Sequence, residues 1–398
     1  MRKNTWSRLR WVQGILCLFV SLGLANAANA QMSYHKTTVT SGGLADGRFA
    51  VNDRGQVAWV GNVAGVDQIF LYRNGQNTQI TANIYNMNIG IESLQINNQG
   101  QIAWSQYDYD TGGLNVNVYL YDGSTYKPLN DNQGQYSWRS VYPCLNNRGE
   151  VAWLQSYQPG APDNNAWDVY LYTGGGVTRL TNDLSQQGPP RLNDNGWVTW
   201  HGNRSQDSDY DNRVYLYNGV SPQVIAYTPG QHCSAPQINN LGQVAWRNSS
   251  SPVYNLYLWN GTNAKITNLD ATNYDGLAPF SLNNNGQILW GWGDGSNNAQ
   301  LYLYGAGGTK KITDDGNTHY NYGLADNGWI TWLQNQGQMA GDLYAYRNGS
   351  SCLLDKGVGY VGPYINSRGQ VVWGNYYPIF LASPAIASPG INSLLLLN

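Results

Sequence analysis

Charge, histidine and cysteine are all scarce in this sequence, and each shortage excludes a class of protein. Only 12% of the 398 residues are charged, and the chain holds four histidines and four cysteines. Because affinity for nucleic acid depends on clustered Lys and Arg, a formal net charge of −2 excludes nucleic acid as a partner. Three cysteines follow position 30, namely Cys144, Cys233 and Cys352. An odd, scattered set is a poor disulfide framework, so we expect small buried side chains.

Long apolar runs are missing as well. The run from Ile15 to Leu24 is too short to span a bilayer, which takes about 20 residues, and no later segment approaches that length. Four basic residues precede it, and Ala28-Asn29-Ala30 follows, which is the order of a secretory signal peptide cleaved after Ala30. The sequence therefore predicts a secreted or periplasmic protein without a membrane span. Without residues 1–30, 18 of the 22 basic residues remain against 24 acidic ones, a net charge of −6.

The familiar catalytic motifs are absent too. The sequence has no G-x-S-x-G nucleophile elbow, no H-E-x-x-H, no C-x-x-C and no phosphate-binding glycine loop. Enzymatic activity is therefore left uncertain, and a binding protein is favoured over an enzyme.

A nine-residue repeat is what the chain does contain. Eight copies occur: VNDRGQVAW from Val51, INNQGQIAW from Ile96, LNNRGEVAW from Leu145, LNDNGWVTW from Leu192, INNLGQVAW from Ile238, LNNNGQILW from Leu282, LADNGWITW from Leu324 and INSRGQVVW from Ile365. Each glycine is followed two residues later by Val or Ile and four residues later by Trp, at intervals of 41 to 49 residues.

Each repeat has the pattern of four short strands. Asn-x-x-Gly is turn chemistry, and the alternating stretch after it predicts a strand. A Tyr-Leu-Tyr strand and a short Ile-Thr strand follow, as in Tyr302–Tyr304 and Lys311–Thr313. Four antiparallel strands every 40 to 50 residues is the period of a propeller blade. We therefore predict an all-β, eight-bladed β-propeller over residues 33–381, followed by a tail over 382–398, with the repeated Trp packed between neighbouring blades.

The last repeat lacks its Ile-Thr strand, which raises the question of how the ring closes. Residues 36–40 have the form of that strand, and Thr40 precedes Gly55 by 15 residues, as Thr181 precedes Gly196. We predict that this N-terminal strand completes the last blade and covers the exposed edges. The leucine-rich tail at 393–397 is the rival candidate for the position.

The order of these elements resembles a known family. An Asn- and Gly-containing turn, a Val-Ala-Trp strand, Tyr-Leu-Tyr and a closing Ile-Thr resemble the TolB-type repeat, also called the PD40 or WD40-like repeat, over residues 33–381. The resemblance implies a propeller fold. The chain departs from TolB itself in having no α/β domain before the blades, so the membrane-complex role of TolB is not carried over.

Variable loops indicate where a ligand would bind. The tight turns lie on one face of the predicted disc, whereas long, dissimilar loops lie on the other, and such loops usually carry function. Aromatic planes beside amides suit a sugar or protein surface. The candidate ligand-binding residues on this face are Tyr136, Trp138, Arg139, His232, Tyr274, His319 and Tyr320. The sequence thus predicts an exported monomeric binding scaffold for a protein or glycan.

Two further hypotheses stay open at this point. His232, His319, Tyr320 and Arg139 have the residue types of base, acid and charge neutraliser in a polysaccharide lyase or other carbohydrate-active enzyme. Asp207, Asp209 and Asp211 alternate as calcium ligands do, but Asn212 and Asn218 break the EF-hand pattern, and a solvated acidic loop explains the same residues. No cofactor other than calcium is indicated.

Overall fold

Eight antiparallel sheets of four strands each, arranged in a ring, make up the protein, so the predicted eight-bladed β-propeller is confirmed. The computed structural model describes residues 32–42, 44–82, 94–108, 115–130, 139–156, 167–182, 186–203, 212–250, 253–269, 279–293, 298–335, 340–359, 361–374 and 378–385. Among these residues there is no helix long and apolar enough to cross a membrane.

The blades follow one another along the chain. Blade 1 consists of β2 (Leu44–Val51), β3 (Val57–Val63), β4 (Val66–Arg73) and β5 (Gln76–Gln79), and blade 2 consists of β6 (Gln95–Ile96), β7 (Ile102–Asp108), β8 (Asn115–Tyr121) and β9 (Tyr126–Pro128). Blade 3 consists of β10 (Ser140–Leu145), β11 (Val151–Ser156), β12 (Trp167–Tyr172) and β13 (Val177–Arg179). Blade 4 consists of β14 (Arg191–Leu192), β15 (Val198–Gly202), β16 (Arg213–Tyr217) and β17 (Pro222–Ala226). Blade 5 consists of β18 (His232–Ile238), β19 (Val244–Ser250), β20 (Val253–Trp259) and β21 (Asn263–Lys265). Blade 6 consists of β22 (Ser281–Leu282), β23 (Ile288–Trp292), β24 (Gln300–Gly305) and β25 (Gly308–Lys311). Blade 7 consists of β26 (Thr318–Leu324), β27 (Ile330–Asn335), β28 (Gly341–Arg347) and β29 (Ser350–Val358).

Blade 8 combines the two ends of the chain. It contains β30 (Val361–Ile365), β31 (Val371–Gly374) and β32 (Ile379–Pro384), and its fourth strand is β1 (Tyr34–Thr40). Val39 of β1 is buried in a cluster with Val372 and Leu381 of blade 8 and Trp59 of blade 1. The N-terminal strand therefore closes the last blade, as predicted, and the rival tail lies outside the described residues.

The repeated tryptophans lie between blades, as the alternation predicts. All eight are buried, and each exposes 5% of its surface or less. Trp104 of blade 2, for example, packs on Val60 and Ile69 of blade 1. Within its own blade it stacks on Tyr119 of the next strand, with ring centroids 5.5 Å apart. Since Ala103 on the opposite face of β7 is buried against blade 3, both faces of the strand are covered.

The Ile-Thr pairs end the fourth strands rather than forming their centres. In blade 1, β5 stops at Gln79, and the Ile80 N–H donates to the Ile69 carbonyl at 2.7 Å. The Thr81 hydroxyl accepts from the Ile69 N–H at 2.9 Å. The same threonine contact recurs at Thr181, Thr267 and Thr313. A hydroxyl thus replaces the next carbonyl of the ladder and terminates the blade.

The three cysteines among the described residues, Cys144, Cys233 and Cys352, are unpaired. Cys144 and Cys233 are buried in the clusters between blades 3 and 4 and between blades 4 and 5. Burial raises the pKa of each thiol to about 12, so both behave as small apolar groups.

Deleting residues 33–41 should lower the melting temperature by roughly 10 °C, because it exposes the edge of β32 and the cluster around Val39. Differential scanning calorimetry measures this. Truncation after Ala385 is the control and should leave the melting temperature in place. A destabilised tail truncation with an unaffected N-terminal deletion would contradict closure by β1.

Candidate functional site

Three of the seven predicted ligand-binding residues, Tyr136, Trp138 and Tyr274, lie outside the described residues. The candidate calcium ligands Asp207, Asp209 and Asp211 lie outside them as well. Their roles stay predictions. Among the residues that the structure does describe, no group of three or more His, Cys, Asp or Glu side chains is placed to hold a metal ion.

The four remaining predicted residues belong to three blades. Arg139 adjoins blade 3, His232 begins β18 of blade 5, and His319 and Tyr320 lie on β26 of blade 7. Blade 6 stands between the two histidines. Arg139 is exposed, with Nη2 at 3.4 Å from the Tyr107 hydroxyl. The residues proposed for a lyase centre are therefore distributed around the ring.

The His319 side chain is buried and is hydrogen-bonded within the fold. It is 1% exposed, and its Nδ1 donates to the Ala299 carbonyl at 2.9 Å. Its Nε2 is 3.4 Å from a carboxylate oxygen of Asp315, and its ring meets Trp332 edge-on. A Cβ at Gly341 would lie 2.5 Å from the Tyr320 hydroxyl, so that hydroxyl packs against its own blade. Both side chains are used in holding blade 7.

A cavity of about 340 Å³ lies instead among the eight repeat turns, of which seven begin with Asn and that of blade 7 begins with Ala325. The sequence assigned this face a structural role only. The second residue of every turn lines the cavity, namely Asp53, Asn98, Asn147, Asp194, Asn240, Asn284, Asp326 and Ser367. We call these eight residues the Asx ring. The site is thus built from the repeat itself.

The first residue of each turn fastens its blade to the next one. Asn239 Nδ2 donates to the Asn283 carbonyl of blade 6 at 3.0 Å and to Gln243 Oε1 at 2.8 Å. Its Oδ1 accepts the N–H groups of Leu241 and Gln243. The side-chain amide therefore has four hydrogen-bond partners, its full capacity apart from bifurcation. The same inter-blade donor occurs at Asn52, Asn97, Asn146, Asn193, Asn239, Asn283 and Asn366, which we call the asparagine collar.

The Asx ring forms a second circle of hydrogen bonds. The backbone N–H of a ring residue donates to the side-chain Oδ1 of the ring residue in the next blade, at 2.7 to 2.8 Å. We call the boundary between two neighbouring blades a joint. Seven of the eight joints have this bond, including the one where Ser367 of blade 8 donates to Asp53 of blade 1. The bonds hold the side chains around the cavity in fixed positions.

Three carboxylates give the cavity its charge. Asp53, Asp194 and Asp326 are never in adjacent blades, and the side chains hydrogen-bonded to them are amides and one hydroxyl. Separation by neutral residues avoids repulsion between like charges. Among the described residues, the lining contains neither Lys nor Arg. The cavity wall is therefore polar, acidic and rich in amides, which suits hydrogen bonding to a neutral or cationic polar chain.

Backbone conformation and close packing both require glycine in turns such as that of Gly149. Gly149 has φ +80°, in the left-handed region. A Cβ there would lie 2.7 Å from Gln101 Oε1 of blade 2. The turn therefore needs glycine both for its backbone and for the close approach of the preceding blade.

A pair of histidines lies between blades 4 and 5. The rings of His201 and His232 are 6.4 Å apart, and His232 Nε2 is 2.8 Å from Asn212 Nδ2. Burial, His232 and the guanidinium groups of Arg191 and Arg247 lower the pKa of His201 to about 4. Burial and Arg247 also lower the pKa of His232. Both histidines are thus neutral near pH 7.

Comparison with known proteins shows a similarity in fold. No protein-family model matches the sequence, and the search of curated proteins gave no match. Solved structures similar to this chain include a prolyl endopeptidase (TM-score 0.57, 11% identity, 87% of this chain and 55% of that one), dipeptidyl peptidase 4 of Porphyromonas gingivalis (0.56, 12%, 85% and 58%) and a puromycin hydrolase (0.54, 13%, 84% and 58%). The chain spans little more than half the length of these proteins.

The functional hypotheses from the sequence are corrected here. A binding scaffold for a protein or glycan on the variable-loop face, with a polysaccharide lyase as the alternative, was expected. The three solved structures compared above belong to two peptidases and a puromycin hydrolase instead. The physical reason for abandoning a lyase centre is that Arg139, His232 and His319 are distributed over three blades.

Asn239→Ala should destabilise the protein by about 2–3 kcal/mol, because it leaves the Asn283 carbonyl and two turn N–H groups without their partner. Urea unfolding measures the change. Asn263→Ala is the matched control, since that exposed side chain makes one bond, to the Ile225 carbonyl; it should cost within about 0.5 kcal/mol. Equal effects would contradict the role of the collar.

Stability should fall as the pH is lowered from about 6.5 to about 4. The folded pKa of His201 lies below its ordinary value of 6.5, so its contribution is complete above pH 6.5 and is lost as the unfolded chain takes up the proton. The pKa difference corresponds to at most about 3 kcal/mol.

His201→Gln should flatten this part of the curve, measured as the free energy of unfolding against pH. His35→Gln, at an exposed position, should leave the curve unchanged. An identical slope in His201→Gln would contradict the assignment.

Proposed function

We propose that this chain has a peptidase-type function, in which the propeller receives peptide substrate in the cavity of the Asx ring. The observation that carries the proposal is the cavity itself, a polar space of about 340 Å³ surrounded by the turns of all eight blades. The fold-level similarity to the propellers of a prolyl endopeptidase and a dipeptidyl peptidase supports it.

The chemistry of the wall suits a peptide. Each peptide unit offers one N–H donor and one carbonyl acceptor. The wall offers amide groups from Asn98, Asn147, Asn240 and Asn284 and carboxylate acceptors from the three aspartates. Fixed side chains lose little entropy on binding. The wall can therefore hydrogen-bond an extended backbone.

The size of the cavity limits what it takes. A volume of about 340 Å³ is at the lower end of the range for small-molecule pockets, about 300–1,000 Å³. This space holds a few residues of an extended chain and excludes a folded domain. Short peptides and chain ends are accordingly the proposed substrates.

No catalytic role is assigned to a described residue, because the sequence lacks a nucleophile elbow and His201, His232 and His319 pack between blades. Two parts of the sequence-based prediction remain proposals. We propose TolB-type repeats for the blades, supported by the turn, tryptophan strand and Ile-Thr end of each unit. We also propose an exported location, supported by the pattern of residues 1–30.

Fluorescently labelled short peptides should bind to residues 31–398 with saturation, as measured by anisotropy, and hydrolysis of the same peptides is followed by mass spectrometry. Asn240→Trp places a bulky ring in the cavity wall and should weaken binding at least about tenfold, which corresponds to about 1.4 kcal/mol.

Leu241→Trp is the matched control, since Leu241 is the next residue of the same turn and is 64% exposed. It should bind as the unchanged protein does, and melting curves check that both variants are folded. If no short peptide is bound or cleaved at millimolar concentration, the proposal is wrong.

A further inference from the structure

One of the eight joints differs from the others at three positions. Between blades 7 and 8 the asparagine collar is interrupted, because blade 7 has Ala325 where the other blades have Asn. Asn283 of blade 6 donates to the Ala325 carbonyl at 3.1 Å, but Ala325 has no side chain to donate onward. The next collar bond runs from Asn366 of blade 8 to the Asn52 carbonyl of blade 1. One inter-blade bond is thus missing.

The Asx ring is interrupted at the same joint. Seven ring residues accept a backbone N–H on their Oδ1, whereas Ser367 has no amide or carboxyl oxygen to accept the Asp326 N–H. What remains is one bond in the opposite direction, from Ser367 Oγ to Asp326 Oδ2 at 3.1 Å. The hydrogen bonds of the Asx ring are therefore weakest at the same joint where the asparagine collar is interrupted.

The third difference at this joint is a buried hydroxyl group. Thr331 is 0% exposed, and its Oγ1 has no hydrogen-bond partner among the described residues. Its neighbour Trp332 packs on blade 6, so Thr331 lies on the opposite face, towards blade 8. A Cβ at Gly323 would meet both Thr331 Oγ1 and Ile365 of blade 8. Blade 1, 2, 3 and 5 have Ala at this position. A buried hydroxyl without a partner destabilises the closed joint.

The outer contacts of the joint are polar. Lys36 of β1 pairs with Asp355 of β29 at 2.6 Å, with 39% and 28% of the two side chains exposed. Asp355 also accepts from Trp373 Nε1 at 3.0 Å. Partly exposed ion pairs are weak and screened by salt. At the turns, the indole of Trp329 of blade 7 lies close to Gly369 of blade 8.

The chain connection gives the joint a pivot. β29 ends at Val358 and β30 begins at Val361, the shortest strand-to-strand step from one of blades 1 to 7 to the next. This connection lies at the face opposite the turns, because strand direction alternates. Separation of the two blades is therefore restrained at the face of this connection, whereas the turn face lacks one collar bond and one ring bond that the other joints have.

We propose that the ring opens at the joint between blades 7 and 8, by a hinge movement that widens the turn face and admits a chain to the central cavity from the side. The proposal is independent of what the propeller receives. The other seven joints keep the ring together during the movement, since each has both inter-blade bonds.

Thiol labelling at two equivalent buried positions tests this. Thr331→Cys and Ala103→Cys each stand three residues after the turn glycine, at 0% exposure, in joints 7–8 and 2–3. Peptide mapping by mass spectrometry separates the introduced thiols from the native cysteines. Under native conditions the thiol from Thr331→Cys should react with a maleimide at least about tenfold faster than the thiol from Ala103→Cys.

Two double variants serve as controls: one restores the missing inter-blade bonds at joint 7–8, and the other removes the equivalent bonds at joint 2–3. Ala325→Asn with Ser367→Asn completes both circles, and it should slow labelling at position 331 while leaving position 103 unchanged. Asn97→Ala with Asn147→Ser transfers the gap to joint 2–3 and should accelerate labelling at position 103. Equal labelling rates at the two positions, or a rate at 331 that repair does not lower, would overturn the proposal.

Discussion

The hydrogen bond from a turn asparagine to the carbonyl of the next blade is the constraint on which the ring depends. It fixes each blade against its neighbour at the narrow end of the sheet, where the innermost strand is only two residues long in blades 2, 4 and 6. The last of these bonds joins Asn366 to Asn52 at 2.7 Å, 314 residues apart in the chain. Because each amide is buried and must find all its partners, the geometry of one joint determines how many blades complete the circle.

The same residues create both the fold and the cavity. An amide that binds its own turn and the next blade is held in one rotamer, and the Asx ring beside it inherits that rigidity. Tryptophan holds the blades together farther from the axis, as Trp104 does between blades 1 and 2. Apolar packing is non-directional, whereas amide bonds are directional. The tryptophans therefore contribute cohesion, and the asparagines contribute register and the shape of the cavity.

The sequence predicted the parts that repeat. Eight tryptophans at a fixed distance from eight glycines predict eight blades, and the missing strand after Phe380 predicts closure by residues near Val39. The cavity was not predicted, because Asn in Asn-x-x-Gly is fully explained by local turn chemistry, and its second partner lies about 45 residues away. The signal was the doubled Asn or Asp, as in Asn239-Asn240. His319 was misjudged for a related reason, since the pattern places it on a strand and cannot show that its neighbours are Ala299 and Trp332.

The two departures from the repeat, Ala325 and Ser367, indicate a weak joint only when they are considered together. Ala325 and Ser367 stand in different copies, 42 positions apart, and each alone is a small change in a turn. The ring places them at one joint, where both remove a bond that every other joint has. A circle of identical joints has no preferred site of opening, since thermal energy is shared equally among them. Loss of two bonds at a single joint, together with a short connection at the opposite face, gives the ring one direction in which it can open without separating β1 from β32 of blade 8.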